Sequence, residues 1–309
     1  MITLFRRSPR PGPVDDWYER ATPEAREEYN AFGPWVQEIR GREGVPPCFL
    51  PWFSELEHAS LVIKIPVNQE RRDARPGQDL YRAIVAVCDD HLVLLSLEAG
   101  KVECRLVPLA EVQALRNFHV LLQAEFGVFL RGGTSFLCSY NAVSLPLIDR
   151  ILDVLGAKIS GKSIGASVSI AAESEDFPVK DHYFRTLVRE HRLRHPGSVL
   201  VFCEEPGVRY RDHRRRNRSL GLLVLKTANE WLFLDRGSAL RQTHDTAYAG
   251  STTWVPFSRT PSFRISDPDA LSPQGGRTLS VHIEGHTLDY RVFTDPARLN
   301  EFLSVLKNP

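Results

Sequence analysis

The residue type best suited to binding an anionic group is arginine, and arginines are concentrated in one short segment of this chain. From Arg209 to Arg218 the chain has six arginines and one aspartate in ten residues. Guanidinium groups donate paired hydrogen bonds to phosphate and carboxylate oxygens, so the segment predicts a site for an anionic partner. The alternative is a solvated loop that pairs with local carboxylates such as Glu204 and Glu205. The predicted binding residues are Arg209, Arg211, Arg214, Arg215, Arg216 and Arg218.

A second, smaller group of arginines occupies the matching place in an internal repeat. Placing Leu61 on Leu200 aligns two apolar segments without a gap, and it brings the arginine-rich segment onto an earlier arginine cluster. Self-similarity of this kind indicates two copies of one structural unit. We therefore expect a matching anion-binding loop in the first copy. Its predicted binding residues are Arg71, Arg72 and Arg75.

The elements that must hold these loops are antiparallel strands and short helices. In each copy an apolar strand leads into the arginine loop, and two apolar strands with a polar turn between them follow. A glycine-containing hairpin comes next, through Arg131–Thr134 in the first copy and Glu284–His286 in the second. Apolar residues at helical spacing then predict a closing helix over Leu145–Leu155 and over Asp295–Leu306. The sequence predicts a mainly β fold with capping helices.

This order of elements resembles the pleckstrin-homology superfold, a curved and partly open β-barrel closed at one end by its last helix. The resemblance covers about Ser60–Gly156 and Gly197–Pro309. It implies two antiparallel split barrels in tandem, of the α+β class, in a non-enzymatic binding or scaffold protein. The implied partner is an anionic membrane surface or an acidic or phosphorylated protein. Phosphoinositide-binding relatives carry a lysine followed by arginines across the first two strands, a pattern that Lys64 with Arg71 and Arg72 resembles.

Domain boundaries follow from changes in composition. A helical and irregular extension precedes the first apolar strand, and a segment rich in Gly, Ser and Ala separates the two copies, as expected of a linker. A further helix leads into the second copy. The predicted units are the extension 1–60, a first pleckstrin-homology-like domain 61–156, the linker 157–180, and a helix with a second such domain over 181–309.

One segment offers a different function. Gly156–Ser163 matches the phosphate-loop pattern GxxxxGK[ST], in which backbone amides hold phosphates, the lysine neutralises them and the serine binds magnesium. Such a loop follows a buried strand, whereas Leu145–Leu155 has helical spacing. A nucleotide-binding protein that uses Gly161, Lys162 and Ser163 is therefore the alternative to the scaffold function.

Metal and cofactor sites have little support in the sequence. His191 and His195, and also His282 and His286, stand four residues apart, a spacing that brings two imidazoles together only within a helix. The first pair crosses a predicted helix end, and the second crosses a predicted turn. Five cysteines without a CxxC pair predict neither a zinc ribbon nor a disulfide scaffold. We expect no catalytic residue, no metal and no cofactor.

Composition limits the partners and the compartment further. Lys+Arg 39 against Asp+Glu 38 gives a formal net charge of +1, which excludes binding to polyanions by bulk charge alone. Nucleic acid is the weaker candidate because Tyr210 is the one aromatic residue within the arginine run. Apolar stretches stay below the roughly 18 residues that a membrane-spanning helix needs. We expect a cytoplasmic protein, with peripheral attachment to a membrane as one mode of binding.

Overall fold

The computed structural model describes residues 17–161, 179, 181–194, 197–204, 207–211, 216–219, 221–236, 249–259, 261–267 and 276–307. Of residues 207–211 and 216–219 only the backbone is described. The helices are α1 Trp17–Arg20, α2 Pro23–Ala31, α3 Phe53–Leu56, α4 Leu145–Ile159, α5 His182–Arg194 and α6 Pro296–Lys307. The strands are β1 Gln37–Glu38, β2 Leu61–Pro66, β3 Tyr81–Val87, β4 His91–Glu98, β5 Lys101–Pro108, β6 Val112–Val120, β7 Gln123–Leu130, β8 Ser135–Asn141, β9 Val199–Glu204, β10 Gly207–Arg211, β11 Arg216–Ser219, β12 Leu222–Lys226, β13 Glu230–Asp235, β14 Ala249–Pro256, β15 Ser262–Ile265, β16 Arg277–Ile283 and β17 His286–Val292.

The N-terminal part combines short helices with 3-10 turns. Thr22 caps α2, because its side-chain oxygen accepts a hydrogen bond from the Ala25 N–H at 3.2 Å, and Pro23 takes the first helical position. The helix ends at Ala31, before the Gly33-Pro34 pair that predicts its interruption. Two 3-10 segments within residues 42–52 then lead into α3.

The strands of the first half form two antiparallel groups. β1 to β5 pair in one five-stranded sheet, β6 to β8 follow as a meander, and α4 comes last. Asp89 and Asp90 separate β3 from β4, which confirms the predicted polar turn. The predicted glycine turn, residues 131–134, separates β7 from β8.

The second half has the same order of elements, with one insertion. β9 pairs with β12, β13 and β14 follow in the same sheet, and β15 to β17 form a three-stranded sheet before α6. Between β9 and β12 the chain forms a separate two-stranded ribbon, β10–β11. The predicted start of α6 is confirmed, because Asp295 Oδ1 accepts a hydrogen bond from the Ala297 N–H at 2.7 Å.

One continuous sheet joins the two halves. β6 pairs antiparallel with β14 through six residue pairs, from Val120 opposite Ala249 to Leu115 opposite Trp254. The resulting seven-stranded sheet has the order β8-β7-β6-β14-β13-β12-β9. The sequence predicted two barrels in tandem and did not predict this shared sheet. A pairing between strands so distant in sequence leaves no local pattern.

The hairpin tips of the two halves also touch. Gly133, in the turn between β7 and β8, meets Gly285, in the turn between β16 and β17. A Cβ atom added at Gly285 would lie 2.8 Å from the Cα of Gly133. Beside this contact, Arg131 Nε and Glu284 Oε2 form an ion pair at 3.2 Å. Equivalent turns of the two halves therefore fit against each other, with no room for a side chain at Gly285.

The strands β3, β4, β12 and β13 are buried on both faces, which explains their unbroken apolar runs. The inner face of the five-stranded sheet packs with β6–β8 and α4. Its outer face is covered by the N-terminal segment, in which Phe49 is fully buried. In the second half, β12 and β13 alternate between a core with β16, β17 and α6 and a core shared with α4 and α5. The aromatic segment Cys48–Phe53 thus packs on the neighbouring sheet.

The coarse fold prediction is confirmed over the described residues. They are mainly β with a few helices, and every strand pair is antiparallel. No sheet closes into a complete barrel within these ranges. α4 continues to Ile159, which extends the closing helix into the range predicted as linker.

Candidate anion-binding site

The arginine-rich segment forms the ribbon β10–β11, apart from the larger sheets. Its backbone register places Arg211 directly opposite Arg216. Like charges in directly opposed positions destabilise a strand pair. The register of the ribbon therefore sets two positions of the arginine run against each other, an arrangement that the linear sequence does not show.

The other arginines of the ribbon occupy less regular positions. Arg218 lies opposite Val208, and the ladder shifts just after that pair, at Arg209. Arg214 and Arg215 fall between the two strands and lie outside the described residues. The structure thus brings the backbones of Arg209, Arg211, Arg216 and Arg218 together on one ribbon.

The smaller arginine group lies on and just after a 3-10 turn that follows β2, and the side chains of two of its members already have local partners. Arg71 donates from Nη2 to the carbonyl oxygen of Asn30 at 3.1 Å. Arg72 Nε pairs with Glu70 Oε2 at 2.7 Å. Arg75 is exposed two residues beyond the turn. The two halves therefore do not present their arginines in the same way.

Lys64 does not join these arginines. It lies on β2 beneath the N-terminal segment, where its Nζ donates a hydrogen bond to the Gly44 carbonyl oxygen at 3.0 Å. The same atom lies 4.3 Å from the centre of the Tyr81 ring, a cation–π contact. Burial lowers the pKa of Lys64, and the nearby Glu28 carboxylate opposes that shift. The lysine anchors the covering segment, so the likeness to the phosphoinositide-binding pattern has no support at this position.

The phosphate-loop match begins inside a helix. Gly156–Ile159 form the end of α4, and Lys158 Nζ pairs with Asp89 Oδ1 at 2.7 Å. A phosphate loop opens from the end of a strand, and this segment lacks that context. Gly161 follows the helix, and Lys162 and Ser163 lie outside the described residues.

The paired histidines have separate neighbours. His191 is buried on α5. His282 Nδ1 lies 3.0 Å from Thr287 Oγ1 across the hairpin, and His286 Nε2 lies 2.7 Å from a backbone carbonyl oxygen at the end of β7. Where the chain is described, no group of three or more His, Cys, Asp or Glu side chains could hold a metal ion.

Two cysteines are held in the protonated form. Burial raises the pKa of the Cys48 thiol to about 12, and the carboxylates of Asp79 and Glu28 add to the shift. Burial also raises the pKa of Cys138 to about 11. Because the thiolate is the nucleophilic form, neither side chain is an activated nucleophile at neutral pH.

A small polar cleft of about 210 Å³ lies between strands β3–β5 and β8. The sequence did not indicate it. Arg82 and Arg105 line it together with Glu98 and Glu103. Two positive and two negative groups balance, so the cleft has no excess charge to attract an anion. Its residues come from four strands, and for this reason no local motif marks it.

Comparisons with protein-family models and with curated proteins found no match for this chain. No helix in the described part of the chain has the length and apolar character needed to cross a lipid bilayer.

Proposed function

We propose that this protein is a non-enzymatic scaffold with two pleckstrin-homology-like modules, and that its ribbon β10–β11 binds an anionic partner. The partner is an anionic membrane surface or an acidic or phosphorylated protein. In each half, antiparallel strands are followed by one amphipathic helix, the order on which the resemblance rests. The observation that carries the binding site is the register that sets Arg211 opposite Arg216.

The ribbon concentrates charge that the rest of the chain does not share. Residues 207–219 contain six arginines and one aspartate, although the whole chain has a net charge of only +1. A polyanion would gain several charge-assisted hydrogen bonds there and would relieve the repulsion between opposed arginines. Such binding weakens as salt rises, because dissolved ions screen the attraction between the arginines and the anionic partner.

The two arginine groups are not expected to contribute equally. Arg71 and Arg72 already bond to Asn30 and Glu70. An anion at this turn would have to replace the Glu70 carboxylate at Arg72 and the Asn30 carbonyl oxygen at Arg71, which reduces the net gain. The ribbon of the second half is therefore the main site, and the turn of the first half is a secondary one.

Sedimentation with lipid vesicles tests this proposal. The intact chain is compared with R214A/R215A/R216A on neutral and on anionic vesicles, at low and at moderate salt. The matched control is R71A/R72A/R75A, which also removes three arginines. We expect binding that requires anionic lipid, is lost in the ribbon variant and is largely retained in the control.

A second arm uses soluble probes of the other partner class. Fluorescence anisotropy with a glutamate-rich peptide and with a multiply phosphorylated peptide shows whether an acidic protein replaces lipid as the partner. Binding to peptides alone assigns the ribbon to a protein partner. Absence of binding to every polyanion, or binding that the ribbon variant retains in full, contradicts the proposal.

A further inference from the structure

Two edge strands of the fold correspond to two strands that pair inside the chain. β5 ends the five-stranded sheet and, in the described ranges, pairs only with β4. β15 begins the three-stranded sheet and, over the same residues, pairs only with β16. Their counterparts in the other half, β14 and β6, pair with each other. An unpaired edge presents backbone N–H and C=O groups to a strand of another molecule.

The equivalence of β5 and β14 follows from their ends and their partners. Each strand ends in a proline, Pro108 or Pro256, and a 3-10 turn follows each of them. Pro108 pairs with His91, and Pro256 pairs with Glu230. The repeat alignment places His91 on Glu230. The two prolines therefore hold the same position in the two halves.

The equivalence of β6 and β15 follows from two buried tyrosines. Tyr140 and Tyr290 lie on the last strand of their halves, each six residues before the proline in the first turn of the closing helix. The ladders lead from Tyr140 across β7 to His119 on β6. They lead from Tyr290 across β16 to Ile265 on β15. His119 and Ile265 are therefore equivalent.

The pairing inside the chain then specifies a register between two molecules. β6 and β14 place His119 opposite Gly250, and Gly250 corresponds to Val102 on β5. The equivalent contact places Ile265 of one molecule opposite Val102 of another. The ladder continues with Arg264 opposite Glu103, Phe263 opposite Cys104 and Ser262 opposite Arg105. Opposite charges and apolar pairs in these positions both stabilise an antiparallel ladder.

We propose that this protein associates with a second copy of itself by pairing β15 of one molecule with β5 of the next, with Arg264 opposite Glu103. Both of these residues are exposed. The two surfaces differ, so the contact is heterologous and builds a ring or an open chain. The ladder is short and the association is accordingly weak. This proposal does not depend on the anionic partner, although each added copy would add an arginine ribbon and so raise avidity for one.

Sedimentation velocity of the full chain over a wide concentration range tests this contact. The variants Glu103→Arg and Arg264→Glu each set like charges opposite one another, and we expect either to weaken self-association about tenfold. In an equimolar mixture of the two variants, each contact between unlike molecules again joins opposite charges, so association returns. The control Glu70→Arg makes the same charge change at an exposed site after β2 and leaves association unchanged.

Circular dichroism and thermal melting establish that each variant is folded, as expected for substitutions at exposed positions. A chain that stays monomeric over the whole range overturns the proposal. So does self-association that neither single variant weakens. A mixture that associates no better than its components also overturns it, because the register predicts complementarity between the two variants.

Discussion

β6 and β15 hold the same place in the two halves of this molecule but have different neighbours. β6 is 9 residues long and pairs on both edges, with β7 and with β14. β15 is 4 residues long and, among the described residues, pairs on one edge only. A second ladder satisfies further backbone N–H and C=O groups and so supports a longer strand. The length of an equivalent strand is thus set by what pairs with it as well as by the repeat.

The outer faces of the two halves show a related difference. Residues of the N-terminal segment, from Phe32 to Leu56, cover the five-stranded sheet. The corresponding face of β12 and β13 packs into the core that contains α4 and α5. Both sheets therefore depend on cover from outside their own strands. Removing that cover exposes a continuous apolar surface to water.

The largest expected effect comes from weakening the cover of the first half. Phe49→Ala removes a fully buried ring from the N-terminal segment, and we expect a loss of about 3–5 kcal/mol in the free energy of unfolding. Urea unfolding followed by circular dichroism measures it. The control Trp35→Ala removes a ring that is 47% exposed, and because about half of that side chain is already in water its expected cost is clearly smaller. Similar costs for both variants would contradict the assigned cover.

The next effect concerns the contact between the hairpin tips of the two halves. Gly285 has φ +85° and meets the Gly133 backbone, whereas Gly132 has φ +78° and open space around its Cα. An added methyl group is strained at both positions by about 1–2 kcal/mol, but at Gly285 it also collides with backbone, for about 1–3 kcal/mol more. We expect Gly285→Ala to lower the urea midpoint clearly further than Gly132→Ala. Equal midpoints would show that the tips do not touch.

Local patterns predicted the elements well, because they depend on neighbouring residues. The pairs Thr22-Pro23 and Asp295-Pro296 combine a capping residue with a proline, and each begins a helix. The turn at Asp89-Asp90 lies where polar residues interrupt two apolar segments. The pairing of β6 with β14 and the contact of Gly133 with Gly285 join residues far apart in the chain. No spacing rule reports such contacts, and the sequence alone did not predict them.

The candidate site was predictable in composition but not in geometry. The arginine run is visible in the sequence, whereas its division into two paired strands, with Arg211 opposite Arg216, is not. The resemblance to phosphoinositide-binding relatives groups Lys64 with Arg71 and Arg72. Strand alternation instead places it on the face of β2 that carries Val62, beneath the N-terminal segment.

The smallest predicted effect is on the reactivity of a cysteine in the segment that covers the first half. Cys48 belongs to the segment that covers the first half, where it is half-buried and its pKa is raised to about 12. Because the pKa is raised, the folded state favours the protonated thiol of Cys48. The stability that this preference contributes is lost only as the pH rises above the ordinary thiol pKa towards the pKa in the folded state. Between pH 7 and pH 9, iodoacetamide should label Cys48 far more slowly in the native chain than in guanidinium chloride, as measured by mass spectrometry. Equal rates would contradict the burial of this thiol.

The central claim, that the ribbon of the second half is the anion-binding site, is tested most directly by hydrogen–deuterium exchange. The full chain is compared with and without anionic vesicles or the acidic peptide that it binds. We predict slower exchange in residues 207–219 and little change at 71–75, because Arg71 and Arg72 already have local partners. Unchanged exchange in the ribbon under saturating conditions, or protection at the first-half turn alone, would contradict the claim.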